Sequence, residues 1–291
     1  MRMSSRLRQR LADGEMVVAP GAYDAIGARA IEHSGFPAVY MTGGGTSIAR
    51  GYPDYGLLSM SEMIENAAVL ARSVSVPLIA DADTGYGNEL NVARTVREFE
   101  NRDVAAIHLE DQVSPKRCGH LEGKELVPLE EFLVKVRAAV SARRSPDFLI
   151  IARTDARTVV GFDEAIRRAN AALKSGADMA FVEAALSVGE LAEIPKRVAG
   201  PCLLNLVAGG KTPLVSMADA QAMGYRLTIL PAMLPMAAVH AFDAALSELA
   251  NTGMSPSPPS GVTVAETFAR FGSEEWDSMR VDLDKQPMQQ R

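Results

Sequence analysis

Short apolar runs of strand length recur along most of this chain and alternate strictly with helical stretches. The runs are Val17–Ala19, Ala38–Thr42, Pro77–Asp81, Ala105–Glu110, Phe148–Arg153, Met179–Glu183, Cys202–Leu206 and Leu227–Leu230. Between them lie amphipathic stretches with helical spacing, Tyr23–Ser34, Ser61–Ser73, Asn91–Asn101, Leu129–Ala142, Phe162–Ser175, Val188–Val198 and Met217–Met223, and Met236–Ala250 follows the last run. Gly35, Gly176, Gly200, Gly224 and Gly253 stand where those helices should stop. Strands that alternate with helices build a parallel sheet, because a parallel neighbour needs a long crossover. Eight such units are the number that closes on itself. The expected fold is therefore α/β, a (β/α)8 TIM barrel.

The barrel is expected to occupy residues 1–253, opening with an amphipathic helix from Ser5 to Gly14. That Arg-rich start has no apolar centre, unlike a secretory signal. Residues 254–261, with the run Ser255-Pro256-Ser257-Pro258-Pro259-Ser260, read as a stiff linker. Residues 262–284 read as a helical extension, with helices at Thr263–Arg270 and Glu274–Met279, and 285–291 as a disordered tail. So small an extension has little core of its own and must dock on its own barrel or a neighbour's. The longest apolar stretch, Leu227–Phe242, is broken by Pro231, Pro235 and His240, so no membrane span is expected. The net charge is −6 and basic residues form no long blocks, which argues against nucleic acid as a partner. Cys118 and Cys202 cannot build a disulfide framework, and a reducing, cytoplasmic setting is expected.

In a parallel barrel, reactive groups gather at the carboxyl ends of the strands. Six consecutive candidate strands end in polar residues: Thr42-Gly43-Gly44-Gly45, Asp81-Ala82-Asp83, Glu110-Asp111, Arg153-Thr154-Asp155, Glu183 and Asn205. Capping explains any one of them more easily than all of them. Asp81 and Asp83 are two apart and face one side of their strand. Carboxylates gathered there, with Glu110 at the end of the next strand, repel unless a cation joins them. Oxygen donors favour a hard ion, Mg²⁺ with Mn²⁺ as a substitute; a salt-bridge network with Arg153 is the alternative. The glycine run offers either an anion-binding nest or a plain turn. Tyr40 shares a face with Thr42 and is either a base, if a cation lowers its pKa, or core. In the loop Lys116-Arg117-Cys118-Gly119-His120, the flanking cations and the imidazole are expected to lower the thiol pKa toward neutrality, and Gly119 to let the loop fold tightly.

Together these residues resemble the isocitrate lyase / phosphoenolpyruvate mutase superfamily. The resemblance runs from about Arg6 to Gly253 and rests on Asp81-Ala82-Asp83-Thr84-Gly85-Tyr86-Gly87-Asn88, Leu109-Glu110-Asp111-Gln112, Lys116-Arg117-Cys118-Gly119-His120, Ala152-Arg153-Thr154-Asp155 and Gly209-Gly210-Lys211-Thr212-Pro213. It implies a barrel whose C-terminal helix swaps between partners, a dimer of dimers, and Mg²⁺. It implies Asp83 as the direct metal ligand, with Asp81 and Glu110 holding the metal's waters or substrate oxygens. Thr42, Gly43 and Gly44 would bind the carboxylate of a pyruvate unit, and Tyr40 would act as base at the substrate hydroxyl. Lys116, Arg117, Gly119 and Asn205 would complete the substrate contacts. Arg153 would face developing negative charge, Cys118 would protonate the carbanion, and His120 and Glu183 would position the loop and the far carboxylate.

Members of that family with a cysteine in this loop look like carbon–carbon lyases, so the resemblance implies that activity here. The same stretches are also similar to carboxyphosphonoenolpyruvate phosphonomutases; an oxaloacetate decarboxylase and a non-catalytic barrel are further alternatives. Methylisocitrate lyases show an Asn-x-Thr stretch on the seventh strand and an Arg after the eighth. Here the corresponding stretches read Asn205-Leu206-Val207 and Pro235-Met236. A buried third carboxylate would lack its cation. The expected substrate is therefore a 2-hydroxy dicarboxylate such as a 2-alkylmalate or 2,3-dimethylmalate.

Overall fold

The structure, a computed structural model, describes residues 1–257 and 261–285. Eight parallel strands close a barrel in sequence order: β1 (Val17–Ala22), β2 (Val39–Met41), β3 (Leu78–Asp81), β4 (Ala106–Glu110), β5 (Leu149–Thr154), β6 (Met179–Val182), β7 (Cys202–Asn205) and β8 (Leu227–Leu230). β8 pairs with β1, Val17 opposite Leu227. All eight expected strands are present, as are the helices between them.

Alternation along each strand sorts side chains into two layers. Val39, Met41, Leu78, Ala80, Ile107, Leu109 and Ile150 point outward into one core beneath the helices. Tyr40, Ile79, Ala106, Leu149, Ile151, Met179, Phe181, Leu203 and Ile229 fill the barrel interior. The inward parity then continues upward. After Ile79 it reaches Asp81, after Ala106 it reaches His108 and Glu110, and after Ile151 it reaches Arg153. Register sets these groups side by side, Asp81 opposite His108 and Glu110 opposite Arg153.

Local chemistry sets the helix starts. Ser59 and Glu62 form a capping box on the helix Met60–Ser73, and Asn88 and Asn91 do the same for Glu89–Glu100. At the opposite, lower rim, Asp178 accepts from Arg8 (2.9 Å), Arg143 (2.5 Å) and the Ile150 amide (2.9 Å). Ser5 donates to Asp147 at 2.5 Å, so the first helix, Met3–Ala12, is tied beneath the barrel.

The chain divides into two compact units, Met1–Ala237 and Ala238–Arg291. The helix Met233–Thr252 runs across that boundary and is longer than the expected Met236–Ala250. Beyond it lie the helices Val264–Ala269 and Ser273–Lys285. Part of the expected linker, 258–260, and nearly all of the expected tail, 286–291, lie outside the described residues. Among the described residues no helix is long and apolar enough to cross a membrane.

Candidate active site

The upper rim gathers a dense set of buried charges. Asp81, Asp83, Glu110, Arg153, Asp155 and Glu183 are all at most 6 % exposed. Arg153 is their hub. Its guanidinium binds Asp155 through Nε (2.9 Å) and Nη2 (3.1 Å), lies 3.1 Å from Glu110 Oε2 and 3.7 Å from Glu183 Oε2, and sits over the Phe181 ring. Burial alone would favour a neutral arginine, but Asp155, Glu110 and Glu183 outweigh it and hold the guanidinium charged. Behind this layer, Asp111 accepts from Thr154 (2.7 Å), the Asp155 amide (2.9 Å) and Arg168 (3.0 Å).

Thr42 and its glycines correct both sequence expectations. They form neither a nest nor a turn: Thr42 is the N-cap of the helix Gly43–Ala49, its hydroxyl accepting from Gly45 N at 3.2 Å. Gly43 and Gly44 are first-turn residues whose amides have no intrahelical acceptor. A Cβ on Gly43 would lie 2.4 Å from Asp81 Oδ2, so glycine is what lets Asp81 sit against this backbone.

Tyr40 is also corrected. Its hydroxyl lies 2.8 Å from His108 Nε2 and 3.5 Å from Asp81 Oδ2, deep in the barrel. Burial, then the charge of Asp81, push the phenol well above its ordinary value. At rest it keeps its proton, so it can take up another only as its own moves on to His108 or Asp81. Burial likewise pulls His108 down to about 4, leaving it neutral.

The loop carrying Cys118 lies folded over this rim as a flap. Its floor is the turn Pro53-Asp54-Tyr55-Gly56. Cys118 N donates to Asp54 O at 3.1 Å, and a Cβ on Gly56 would lie 2.8 Å from Lys116 N. Lys116 is buried, with its ammonium on Asp54 and 3.1 Å from Asp83 Oδ1. Burial opposes that charge, but Asp83 and Asp54 prevail and raise its pKa. Arg117 departs from expectation: it is exposed, stacks 5.4 Å from the Tyr55 ring centre, and contributes no side chain to the site. Cys118 departs too. Burial and then Asp54 raise its thiol to about 11, against a backbone hydrogen bond from His120 and the charges of Lys116 and Arg153. Lys116 is held by Asp54 and Asp83, and Arg117 stacks on Tyr55, so burial outweighs their pull and the thiol holds its proton instead of losing it.

Gly119 packs so closely that a Cβ would meet Arg153 Nη2 at 2.5 Å and Glu183 Cγ at 2.6 Å. His120 Nδ1 accepts from Lys211 N (3.0 Å), which leaves the proton on Nε2, a nitrogen 3.5 Å from Glu183 Oε1; burial lowers its pKa. Glu183 also accepts from Asn205 Nδ2 (2.9 Å). Expected residues Asp81, Asp83, Glu110, Arg153, Glu183, Asn205, Cys118, Gly119, His120, Lys116, Tyr40 and Thr42 thus converge, and only Arg117 falls outside. Sequence reading missed Asp54, whose Pro-Asp-Tyr-Gly setting looks like any surface turn. It also missed Tyr86, whose buried hydroxyl has no hydrogen-bond partner and whose backbone is left-handed (φ 61°).

The donor set suits a hard cation. Both Glu110 oxygens and Asp83 Oδ1 are buried without a hydrogen bond. The expectation that strand alternation pairs Asp81 with Asp83 is corrected: β3 ends at Asp81, Asp83 turns away with a left-handed backbone (φ 46°), and its amide donates to Asp81 Oδ1 at 3.0 Å. Among the described residues, no three His, Cys, Asp or Glu side chains form a ready metal cage.

Residues 7–250 match the family model for phosphoenolpyruvate phosphomutase. The chain belongs to the PEP mutase/isocitrate lyase superfamily. It is 50 % identical over 232 residues to 2,3-dimethylmalate lyase of Eubacterium barkeri, covering 79 % of this chain and 80 % of that one. It is 43 % identical over 247 residues to 2-methylisocitrate lyase of Aeropyrum pernix, covering 85 % and 80 %. A crystal structure of a 2,3-dimethylmalate lyase superposes with a TM-score of 0.92 at 40 % identity, covering 98 % of this superfamily member and 95 % of that chain. Phosphonopyruvate hydrolase, solved with oxalate and Mg²⁺, superposes at 0.87 and 31 % identity, covering 97 % and 99 %. Both of these lyase relatives carry carbon–carbon lyase names, as the loop cysteine suggested.

Proposed function

We propose that this protein is a Mg²⁺-dependent carbon–carbon lyase that cleaves a 2-hydroxy dicarboxylate of the 2-alkylmalate type into a 2-oxo acid and a carboxylic acid. The observation that carries this reading is Cys118: a protonated thiol, on a flap whose Gly119 packs against Arg153 and Glu183 and whose Lys116 reaches Asp83, is equipped as a general acid. Asp83 and Asp81, with Glu110 nearby, would hold Mg²⁺, with Mn²⁺ as a substitute. The ion would supply Lewis-acid polarisation of the substrate's 2-hydroxyl and carboxylate oxygens.

The protein's own groups do the rest. The amides of Gly43 and Gly44, beside Thr42, receive the carboxylate next to the reacting hydroxyl. Tyr40, bridging His108 and Asp81, receives the hydroxyl proton while its own proton passes to this pair. The C2–C3 bond breaks, C2 becomes the carbonyl carbon, and the electron pair passes to C3 and its carboxylate. The fixed charge of Arg153 stabilises that pair. Cys118 delivers its proton to C3, and Lys116 and Arg153 face the thiolate left behind. The seated flap excludes water, which would otherwise quench the carbanion.

The cations support a dicarboxylate as the substrate. Arg153 is engaged by Asp155, Glu110 and Glu183, and Lys116 by Asp54 and Asp83. Met236, at the place of the expected arginine, is 45 % exposed on its helix. A dicarboxylate is served by the first-turn amides and the metal; a tricarboxylate would have a charge to spare. The enzyme is proposed to act in the cytoplasm as a homotetramer, a dimer of helix-swapped dimers. The apolar face Val239, Phe242, Leu246 and Leu249 of the helix Met233–Thr252 supports oligomerisation.

The test is a coupled assay of pyruvate release from 2-hydroxy and 2-oxo diacids with Mg²⁺. Release from a malate-type diacid, reduced about 1000-fold or more in Cys118→Ser, is the expected result. Faster turnover of methylisocitrate than of dimethylmalate would overturn the substrate reading. Cys118-independent release of CO₂ from oxaloacetate would overturn the reaction class.

A further inference from the structure

We infer that Lys124, a residue outside the reacting groups, is the positioning residue that holds the flap shut. Lysines in loops are ordinarily solvated, and burying an ammonium costs several kcal/mol unless it is well partnered. The Lys124 side chain is 1 % exposed. Its Nζ donates to the Gly119 carbonyl and lies 3.1 Å from Asp155 Oδ1.

Both partners matter. Gly119 is the residue between Cys118 and His120, and it packs so close to Arg153 and Glu183 that a Cβ would collide with both. Asp155 is 0 % exposed and is the same carboxylate that grips Arg153 through two hydrogen bonds. Lys124 thus reaches back under its own loop and joins the proton-donor turn to the carboxylate that orients the arginine. Lys116 makes the corresponding attachment at the start of the flap, on Asp54 and Asp83. Two buried ammonium groups, one at each end of the segment 116–124, therefore clasp it to separate carboxylates of the rim. Each stays buried only while the segment is down, because lifting it removes both lysines from their partners. Seating the flap and completing the charge balance around Arg153 are one event. A Met at 124 would keep the bulk but leave Gly119 O and Asp155 without their cation.

The activity arm of the test rests on the lyase reading, whereas the accessibility arm does not, so their failures are separable. Full-length wild-type protein, Lys124→Met and Lys124→Arg are each loaded with Mg²⁺ and oxalate. The alkylation rate of Cys118 by iodoacetamide is followed by mass spectrometry, with Cys202 as the internal buried control. Lys124→Met should raise the Cys118 rate about tenfold at unchanged far-ultraviolet circular dichroism. In turnover it should lower kcat about 100-fold with a much smaller change in KM. Lys124→Arg, which keeps the charge, should restore most of the protection. If Lys124→Met does not fold, hydrogen exchange of wild-type residues 116–124 decides. Protection of both ends together on adding Mg²⁺ and oxalate supports the clasp, and protection of the Lys116 end alone overturns it. Alkylation and kcat of Lys124→Met within twofold of wild type would overturn it as well.

Discussion

Cys118 holds its proton up to about pH 11, and that direction decides how it can be used. With the flap seated, its alkylation rate should climb about tenfold per pH unit through pH 8–10 with no plateau. A plateau near pH 8 would mark an activated thiolate and contradict the acid role. Gly43 makes a second residue-scale case. Gly43→Ala puts a methyl 2.4 Å from Asp81 Oδ2 and must displace that carboxylate. Weaker Mn²⁺ binding by electron paramagnetic resonance is expected, with a stability loss of about 1–3 kcal/mol. The identities of Asp81, Glu110, Arg153 and Glu183 were legible because strand parity fixes which residues face inward, whereas Asp83 reaches the rim through a left-handed turn that parity does not foresee. The ionisation of Cys118 and Tyr40 was not. Lys116 and Arg117 precede the thiol in the chain, yet one binds Asp54 and the other stacks on Tyr55.

Among elements, the strands were the easiest to read, since each is buried on both sides and appears as a nearly continuous apolar run. The helix Gly43–Ala49 was hidden because glycines are poor helix formers. It forms because Thr42 caps it, Thr46 Oγ1 donates to Thr42 O at 2.7 Å, and Asn66 Nδ2 donates to Thr46 Oγ1 at 3.1 Å. The flap is the element where packing and turnover meet. Gly119→Ala should prevent seating, cutting kcat about 100-fold while leaving the thermal midpoint nearly unchanged, because the collision lies at the flap and not within the barrel. Beneath the rim the expectation reverses. Arg168→Ala strips Asp111 of its cation and should cost about 3–5 kcal/mol, read as a lower midpoint in a thermal melt.

At the scale of the whole molecule, the exposed apolar residues Val239, Phe242, Leu246 and Leu249 recur at near-helical spacing on one helix. Phe242→Glu with Leu246→Glu should shift the protein to a smaller species in light scattering, and an unchanged mass would remove that face from the assembly. The two rims of the barrel carry different duties. The upper rim holds the reacting groups, while the lower rim holds the bundle of Arg8, Arg143, Asp147 and Asp178 around Ser5 and the Ile150 amide. With a whole strand length between them, heat tolerance and turnover become separately adjustable properties. An engineer seeking a hardier catalyst for alkylmalates has the underside to rework, with the chemistry overhead left as it stands.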